Sequence, residues 1–89
     1  MLYNHMVIFA GIVREHGVSA TAEQLGMPKS TVSLRLKELE EELGVRLIQR
    51  TTRQIKLTEH GRLFYEQCLK MLGLGDAAND MMKGLQGRN

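Results

Sequence analysis

The run AEQLGMPKSTVSLRLKELEEELG, residues 22–44, decides the fold. Its second half carries Val32, Leu36, Leu39 and Leu43 at i, i+4, i+7 and i+11, a narrow apolar stripe on one face of a helix. At about 100° per residue, the opposite face carries Ser30, Leu34, Lys37 and Glu41, with Thr31 and Ser33 on its flanks. Pro28 suits the first position of that helix, where its missing N–H is no loss, and Gly44 stops it. The predicted helix runs from about Pro28 to Leu43. Upstream, Ser19 is a good N-cap for a short helix through Leu25, with Ala22 and Leu25 as its buried stripe and Val18 packing just before it. Gly26 allows a tight turn between the two. Two helices so joined, the second apolar inside and small and polar at its outer N-terminus, make a helix-turn-helix. The second helix of such a pair can enter a major groove, where its N-terminal side chains reach base edges. Helix pairs of this shape also occur in proteins that bind no DNA.

Working outward, residues 5–16 read as a helix, with Met6, Phe9 and Val13 at i, i+3 and i+7 and Ile8 and Ile12 beside them. Asn4 can cap its start, and Gly17 can end it in the left-handed conformation. After Gly44, residues 47–50 and 54–57 read as two short strands around Thr51-Thr52-Arg53, with Leu47, Ile55 and Leu57 facing the core. Thr58 caps a last helix whose first turn holds Glu59, favourable for the helix dipole. Leu63, Phe64, Cys68, Leu69 and Leu72 form its apolar face. Gly73 and Gly75 each weaken it by about 1 kcal/mol relative to alanine; it bends there or resumes from Asp76 to about Met82. The stretch from Gly84 to Asn89 is expected to fray. The fold class is therefore mainly α: three helices holding a helix-turn-helix, a two-stranded ribbon that makes a wing, and a last helix from Thr58.

Composition narrows the function. Eighty-nine residues make one domain with one modest core and no second lobe to form a cleft. Hydrophobic residues are 43% and charged residues 25%, which fits a globular chain rather than a disordered one. The longest apolar run, Met6 to Val13, falls far short of the ~20 residues of a membrane span, and its flanks lack the pattern of a signal peptide. A soluble, cytoplasmic protein is expected, with no membrane partner. The lone Cys68 cannot form an internal disulfide. His5, His16 and His60 have no zinc spacing, and no phosphate loop or activated nucleophile is evident, so neither a metal, a cofactor nor catalysis is expected. Net charge is only +2, but its distribution is uneven. Between Arg46 and Lys56 there are four bases and no acid, a local edge suited to a polyanion or simply a solvated surface.

Two further features bear on partners. Glu40, Glu41 and Glu42 are a solvated helix end or a brace to the wing. Tyr65, Leu69, Leu72, Leu74 and the Met81-Met82-Leu85 end exceed what one small core can cover, and an extended apolar helix finds a partner. A homodimer is expected, with Phe9 and Val13 of the first helix and Tyr65, Cys68, Leu69 and Leu72 of the last at its interface.

Ala22-Glu-Gln-Leu25-Gly26, Ser33, the run LEEELGVRL at 39–47, Arg50-Thr51 and Leu57-Thr58-Glu59-His60-Gly61 together resemble the N-terminal domain of LysR-type transcriptional regulators. The resemblance covers residues 2 to about 85. It implies a winged helix-turn-helix over 1–57 followed by a long linker or dimerisation helix over 58–89, a domain that binds promoter DNA as a dimer, often paired into tetramers, at A/T-rich pseudo-palindromes in the bacterial cytoplasm and nucleoid. It also implies a C-terminal effector domain that these residues lack, so the chain reads as the DNA-binding piece, with Gly84 onward near the hinge. Three positions depart from the family's habit: Lys29 where an amide is common, Leu34 where a basic or polar residue often follows Ser33, and Ile48 where Phe often follows Leu47. Ser30, Thr31 and Ser33 would hydrogen-bond phosphates or base edges, or serve only as helix-start polarity. Lys29 opposes the helix dipole, which points to a phosphate or guanine partner or to plain solvation. Leu34 is a singly exposed leucine or a contact to a thymine methyl. Arg35 and Lys37 meet phosphates or pair with nearby glutamates. Arg53 at the wing tip is a candidate for the minor groove or backbone, and Arg50 for the same or for a structural role at the strand end. The competing readings are a protein-interaction module on the same scaffold and a nonspecific DNA binder.

Overall fold

The computed structural model describes residues 2–50 and 54–73. The elements in chain order are α1 (Leu2–Glu15), α2 (Val18–Leu25), α3 (Lys29–Leu43), β1 (Ile48–Arg50), β2 (Ile55–Leu57) and α4 (Glu59–Leu72). The chain is mainly helical with a two-stranded wing, as its periodicity predicts. β1 and β2 pair antiparallel, with Ile48 opposite Leu57, Gln49 opposite Lys56 and Arg50 opposite Ile55. Among the described residues, no helix is long and apolar enough to cross a membrane.

α1 is the centre of the core. It packs against α2, α3 and α4. Met6, Ile8, Phe9, Ala10 and Ile12 are buried with Val32, Leu36 and Leu39 of α3, and with Leu47, Ile48 and Cys68. The Phe9 ring meets Phe64 at 5.7 Å and Tyr65 at 6.3 Å, the latter edge to face, which ties α4 to α1. Burying the 32/36/39 stripe fixes the rotation of α3 about its axis, and so which residues it turns outward.

Several helix ends differ from expectation. α1 begins at Leu2, so Asn4 lies in its first turn and is not its N-cap. Its C-terminus closes on His16, at φ 62°, rather than on Gly17, whose backbone is extended. The His16 N–H donates to the Val13 carbonyl and the Gly17 N–H to the Ile12 carbonyl, the paired bonds of a Schellman end. α2 starts at Val18 with Gly17 in the cap position, so Ser19 is not the cap. The hydroxyl of Thr21 instead donates to the Gly17 carbonyl at 2.7 Å. That bond lets Thr21 be fully buried beside Ala22, while Leu25, expected inside, lies at the exposed helix end. α3 starts at Lys29, with Pro28 as the extended residue before it, and Leu43 at its far end is exposed.

Gly26 is in the left-handed conformation at φ 67°, where a side chain would be strained, and makes the turn between α2 and α3. Gly61 has a different task. A Cβ there would overlap the carbonyl oxygen of Leu47, so only glycine lets α4 approach the chain entering β1. Three hydrogen bonds fasten the same junction. Thr58 N–H donates to Leu47 O at 3.0 Å, Thr58 Oγ1 donates to Arg46 O at 2.6 Å, and Gly61 N–H donates to Thr58 Oγ1 at 2.9 Å. Thr58 thus caps α4 as expected and also tethers it to the wing. Leu63, expected on the buried face of α4, is 48% exposed, and Tyr65 packs in its place. α4 ends at Gly73 in the left-handed conformation. The expected bend at Gly75, the renewed helix from Asp76 to Met82, Leu74 and the apolar 81–85 end lie outside the described residues.

Candidate nucleic-acid interface

With its apolar stripe inward, α3 turns Ser30, Leu34, Lys37 and Glu41 outward, all exposed. Leu34 is 49% exposed at the middle of this face, with Ser30 one turn before it and Lys37 one turn after. Lys29 is the first, exposed residue of the helix, and Thr31 and Ser33 are half-buried on opposite flanks. The N-terminal half therefore presents short polar side chains, one base and the positive end of the helix dipole.

The C-terminal half is different. Glu38, Glu40, Glu41 and Glu42 lie toward the negative end of the dipole, where acids are unfavourable unless a partner or water compensates them. Two have such partners. The carboxylate of Glu40 accepts the N–H of Leu47 at 2.7 Å and of Ile48 at 3.1 Å. It is the brace to the wing, while Glu41 and Glu42 are the solvated pair. Glu38 accepts from Arg35 Nη1 at 2.9 Å and lies 3.1 Å from Nε2 of His5 on α1. The hydrogen bonds from His5 and Arg35 hold the Glu38 carboxyl below its ordinary value. Of the two roles open to Arg35, the structure therefore has it paired with a glutamate.

Between α3 and β1 runs a groove lined by Ser33, Lys37, Glu41 and Arg46. On the wing, Ile48, Ile55 and Leu57 face inward, whereas Gln49 and Lys56 are exposed side by side across the ladder. Arg50 ends β1 opposite Ile55. Arg53 at the expected wing tip lies outside the described residues. Arg46 and Lys56 bound the basic edge read from the sequence but were not among its individual contact candidates, and Gln49 was not singled out, although the alternation Ile55-Lys56-Leu57 marks Lys56 as the outward residue of its strand.

The residues expected at a dimer interface divide. Phe9 and Cys68 are 0% exposed, held inside the chain's own core, so neither presents surface to a second copy. Burial pushes the Cys68 thiol up to about 11, so it stays protonated and unreactive. Val13, Tyr65, Leu69 and Leu72 are half-buried and keep surface to offer. Among the described residues, no group of three or more His, Cys, Asp and Glu is placed to hold a metal ion.

Comparison with known proteins agrees with this geometry. The family model described as bacterial regulatory helix-turn-helix protein, lysR family, matches residues 3–62. The HTH-type transcriptional regulator PtxR of Pseudomonas aeruginosa is 39% identical over 84 residues, 94% of this chain and 27% of that protein. BudR of Klebsiella aerogenes, also an HTH-type transcriptional regulator, is 38% identical over 85 residues, 96% of this chain and 59% of its own length. The chain thus spans between about a quarter and three fifths of these two relatives. Among solved structures, the BenM DBD in complex with catB site 1 DNA superposes with a TM-score of 0.79 at 31% identity, covering 97% of both chains. The CbnR DBD–DNA complex superposes with a TM-score of 0.78 at 26% identity, covering 97% of this chain and 99% of that one.

Proposed function

This chain belongs to the lysR family of bacterial regulatory helix-turn-helix proteins, and on that premise we propose that it binds double-stranded promoter DNA sequence-specifically, as part of a transcription regulator. The role is binding rather than catalysis. It is exercised in the cytoplasm, at the nucleoid.

One observation carries this reading: the charge and size gradient along the outer face of α3. Small polar side chains, Lys29 and the positive helix end lie at its N-terminus, and the exposed Glu41 and Glu42 at its far end. A polyanion is attracted to the first and repelled by the second. The helix thus enters a major groove by its N-terminal half. The solved BenM and CbnR neighbours, which cover nearly the whole chain, are complexes with DNA and support the same partner.

In this reading Ser30, Ser33 and Lys29 meet base edges or the phosphates at the groove rim, and Thr31 meets a phosphate. Leu34 lies against a thymine methyl, the apolar group that a major groove offers. Lys37, with Arg46 across the groove, follows one strand. The wing, through Arg50, Arg53 and Lys56, approaches the minor groove or backbone. Residues 1–57 form the DNA-binding unit, and the helix from Thr58 onward pairs with that of a second copy. Val13, Tyr65, Leu69 and Leu72 supply the contact, and Phe9 and Cys68 support it from behind. A two-fold dimer calls for a pseudo-palindromic, A/T-rich site with half-sites about one helical turn, ~34–36 Å, or a multiple apart.

The test is in vitro selection from randomised duplex DNA at near-physiological salt. Enrichment of an inverted repeat is the expected result. Binding without enrichment would reduce the chain to a nonspecific binder, and no binding at all would favour a protein-interaction module.

A further inference from the structure

The Arg35–Glu38–His5 cluster is not explained by the fold's need for a core or by the proposed docking of α3. Glu38 lies on the flank of α3 that faces α1. One of its oxygens, Oε1, serves both Nη1 of Arg35 and Nε2 of His5, at 2.9 and 3.1 Å. The side chain of His5 is only 7% exposed, whereas those of Glu38 and Arg35 are 40% and 39% exposed. An exposed Arg–Glu pair one helical turn apart exchanges freely with solvent and is worth little. Here the carboxylate is fixed from a second element by a ring that is itself enclosed. Glu38 cannot swing away without leaving that imidazole, so the acid stays where it is when a competing anion arrives. Glu41 and Glu42 line the same hollow with Asn4 and add negative charge on that side.

From this geometry we propose that Glu38, anchored by His5, limits DNA affinity by keeping Arg35 out of the phosphate contacts. The proposal rests on the DNA-binding reading above. A guanidinium contributes to binding by neutralising a phosphate and releasing condensed counterions. Arg35 and Glu38 together carry no net charge, so bringing the pair to the backbone releases none. Glu38 is in these terms a positioning residue that acts through Arg35. It subtracts a sequence-independent contact and leaves the base-reading face to decide where the domain binds. A regulator gains from this, because each phosphate contact strengthens binding to every competing site as much as to the right one.

The experiment measures affinity for a selected duplex and an unrelated duplex between 50 and 200 mM salt. The proteins are the wild type, Glu38→Gln, Arg35→Ala and the double variant. Melting curves on each confirm folding. The expected result for Glu38→Gln is tighter binding to both duplexes. The salt slope should steepen by about 0.9 per protomer, about threefold over that salt range for one recruited phosphate. The double variant, again without net charge at the pair, should match wild type, and Arg35→Ala alone, which bares the Glu38 carboxylate, should bind no more tightly than wild type. His5→Gln, which loosens the anchor but keeps Arg35 and Glu38, should fall between wild type and Glu38→Gln.

Three results would overturn the proposal. The slope could flatten by about 0.9 in the double variant relative to wild type, meaning that Arg35 already holds a phosphate. Glu38→Gln could leave the slope unchanged. Or its gain could persist without Arg35, which would make Glu38 a simple repulsive charge. Wild-type binding to at least one duplex in the same titrations separates these outcomes from failure of the DNA reading itself, in which no protein binds.

Discussion

Replacing Glu40 by alanine is expected to unfasten the wing. The Glu40 carboxylate reaches from the third helix to the backbone entering the first strand. It accepts the N–H groups of Leu47 and Ile48 at 2.7 and 3.1 Å. Both residues are buried, at 0% and 3% exposure, so their amides have little access to water as a substitute. A hydrogen bond to a charged group contributes about 1.5–3 kcal/mol, and two at the low end of that range total about 3 kcal/mol. For a domain of this size each kcal/mol lowers the melting temperature by about 4–8 °C, so a fall of about 12–24 °C is expected. Glu40→Gln keeps one acceptor oxygen and loses only the charge, and its cost should stay near 1 kcal/mol. Calorimetry gives the stability, and amide hydrogen exchange localises the loss. Leu47 and Ile48 should lose protection in Glu40→Ala ahead of the middle of α1. An alanine variant within ~0.5 kcal/mol of wild type, the range of ordinary surface substitutions, with both amides still protected, would refute the reasoning.

Other consequences are equally direct. Gly61→Ala forces a methyl into the carbonyl oxygen of Leu47, and backbone cannot yield as a flexible side chain can. It should cost about 3 kcal/mol, the upper end for overpacking, read in denaturant melts. Cys68, buried and held protonated, should react with a thiol reagent at pH 8 only at the rate of unfolding, and addition of urea should expose it at once. The Glu38 carboxyl is held below its ordinary value of 4.5 by His5 and Arg35, with Glu41 and Glu42 in the same hollow. The folded state therefore binds its proton less readily than the unfolded chain. The stability this confers is present above about pH 4.5 and is lost as pH falls through the lower folded value. Melts of wild type and Glu38→Gln should differ at pH 7 and converge in acid.

The helix-turn-helix was legible because three conditions coincide in one stretch. The stripe of Val32, Leu36 and Leu39 sets a period, Gly26 permits the turn, and Gly44 ends the helix. Thr58 was legible for a similar reason, since a cap depends on one side chain and the three residues after it. What escaped depends on contacts between distant segments. His16 takes the left-handed conformation although the adjacent Gly17 is the better candidate by local preference. Thr21 is buried and Leu25 is not, because Thr21 packs against Gly11 of α1, where a Cβ would crowd its methyl, and its hydroxyl is satisfied by the Gly17 carbonyl. Phe9 and Cys68 lie on the apolar stripes of single helices and were expected at a dimer interface, and only their packing across α1 and α4 shows them to be fully enclosed in the chain's own core. The same limit applied to charge. Four glutamates in a row of five residues look alike in sequence, yet Glu40 holds the wing, Glu38 holds Arg35, and the other two meet solvent.

The central claim is that the N-terminal half of α3 reads bases, and Leu34 offers the most direct test of it. Selection from randomised duplex DNA should be run in parallel with wild type and Leu34→Ala. This side chain is exposed and outside the core, so its truncation should not disturb the fold. The expected result is an inverted repeat from both proteins. A thymine required by wild type in each half-site should become free in the variant, at a cost of about 1–3 kcal/mol of discrimination confined to that position. An identical motif from both proteins, or a uniform weakening on every sequence, would contradict the assignment of this face to base recognition.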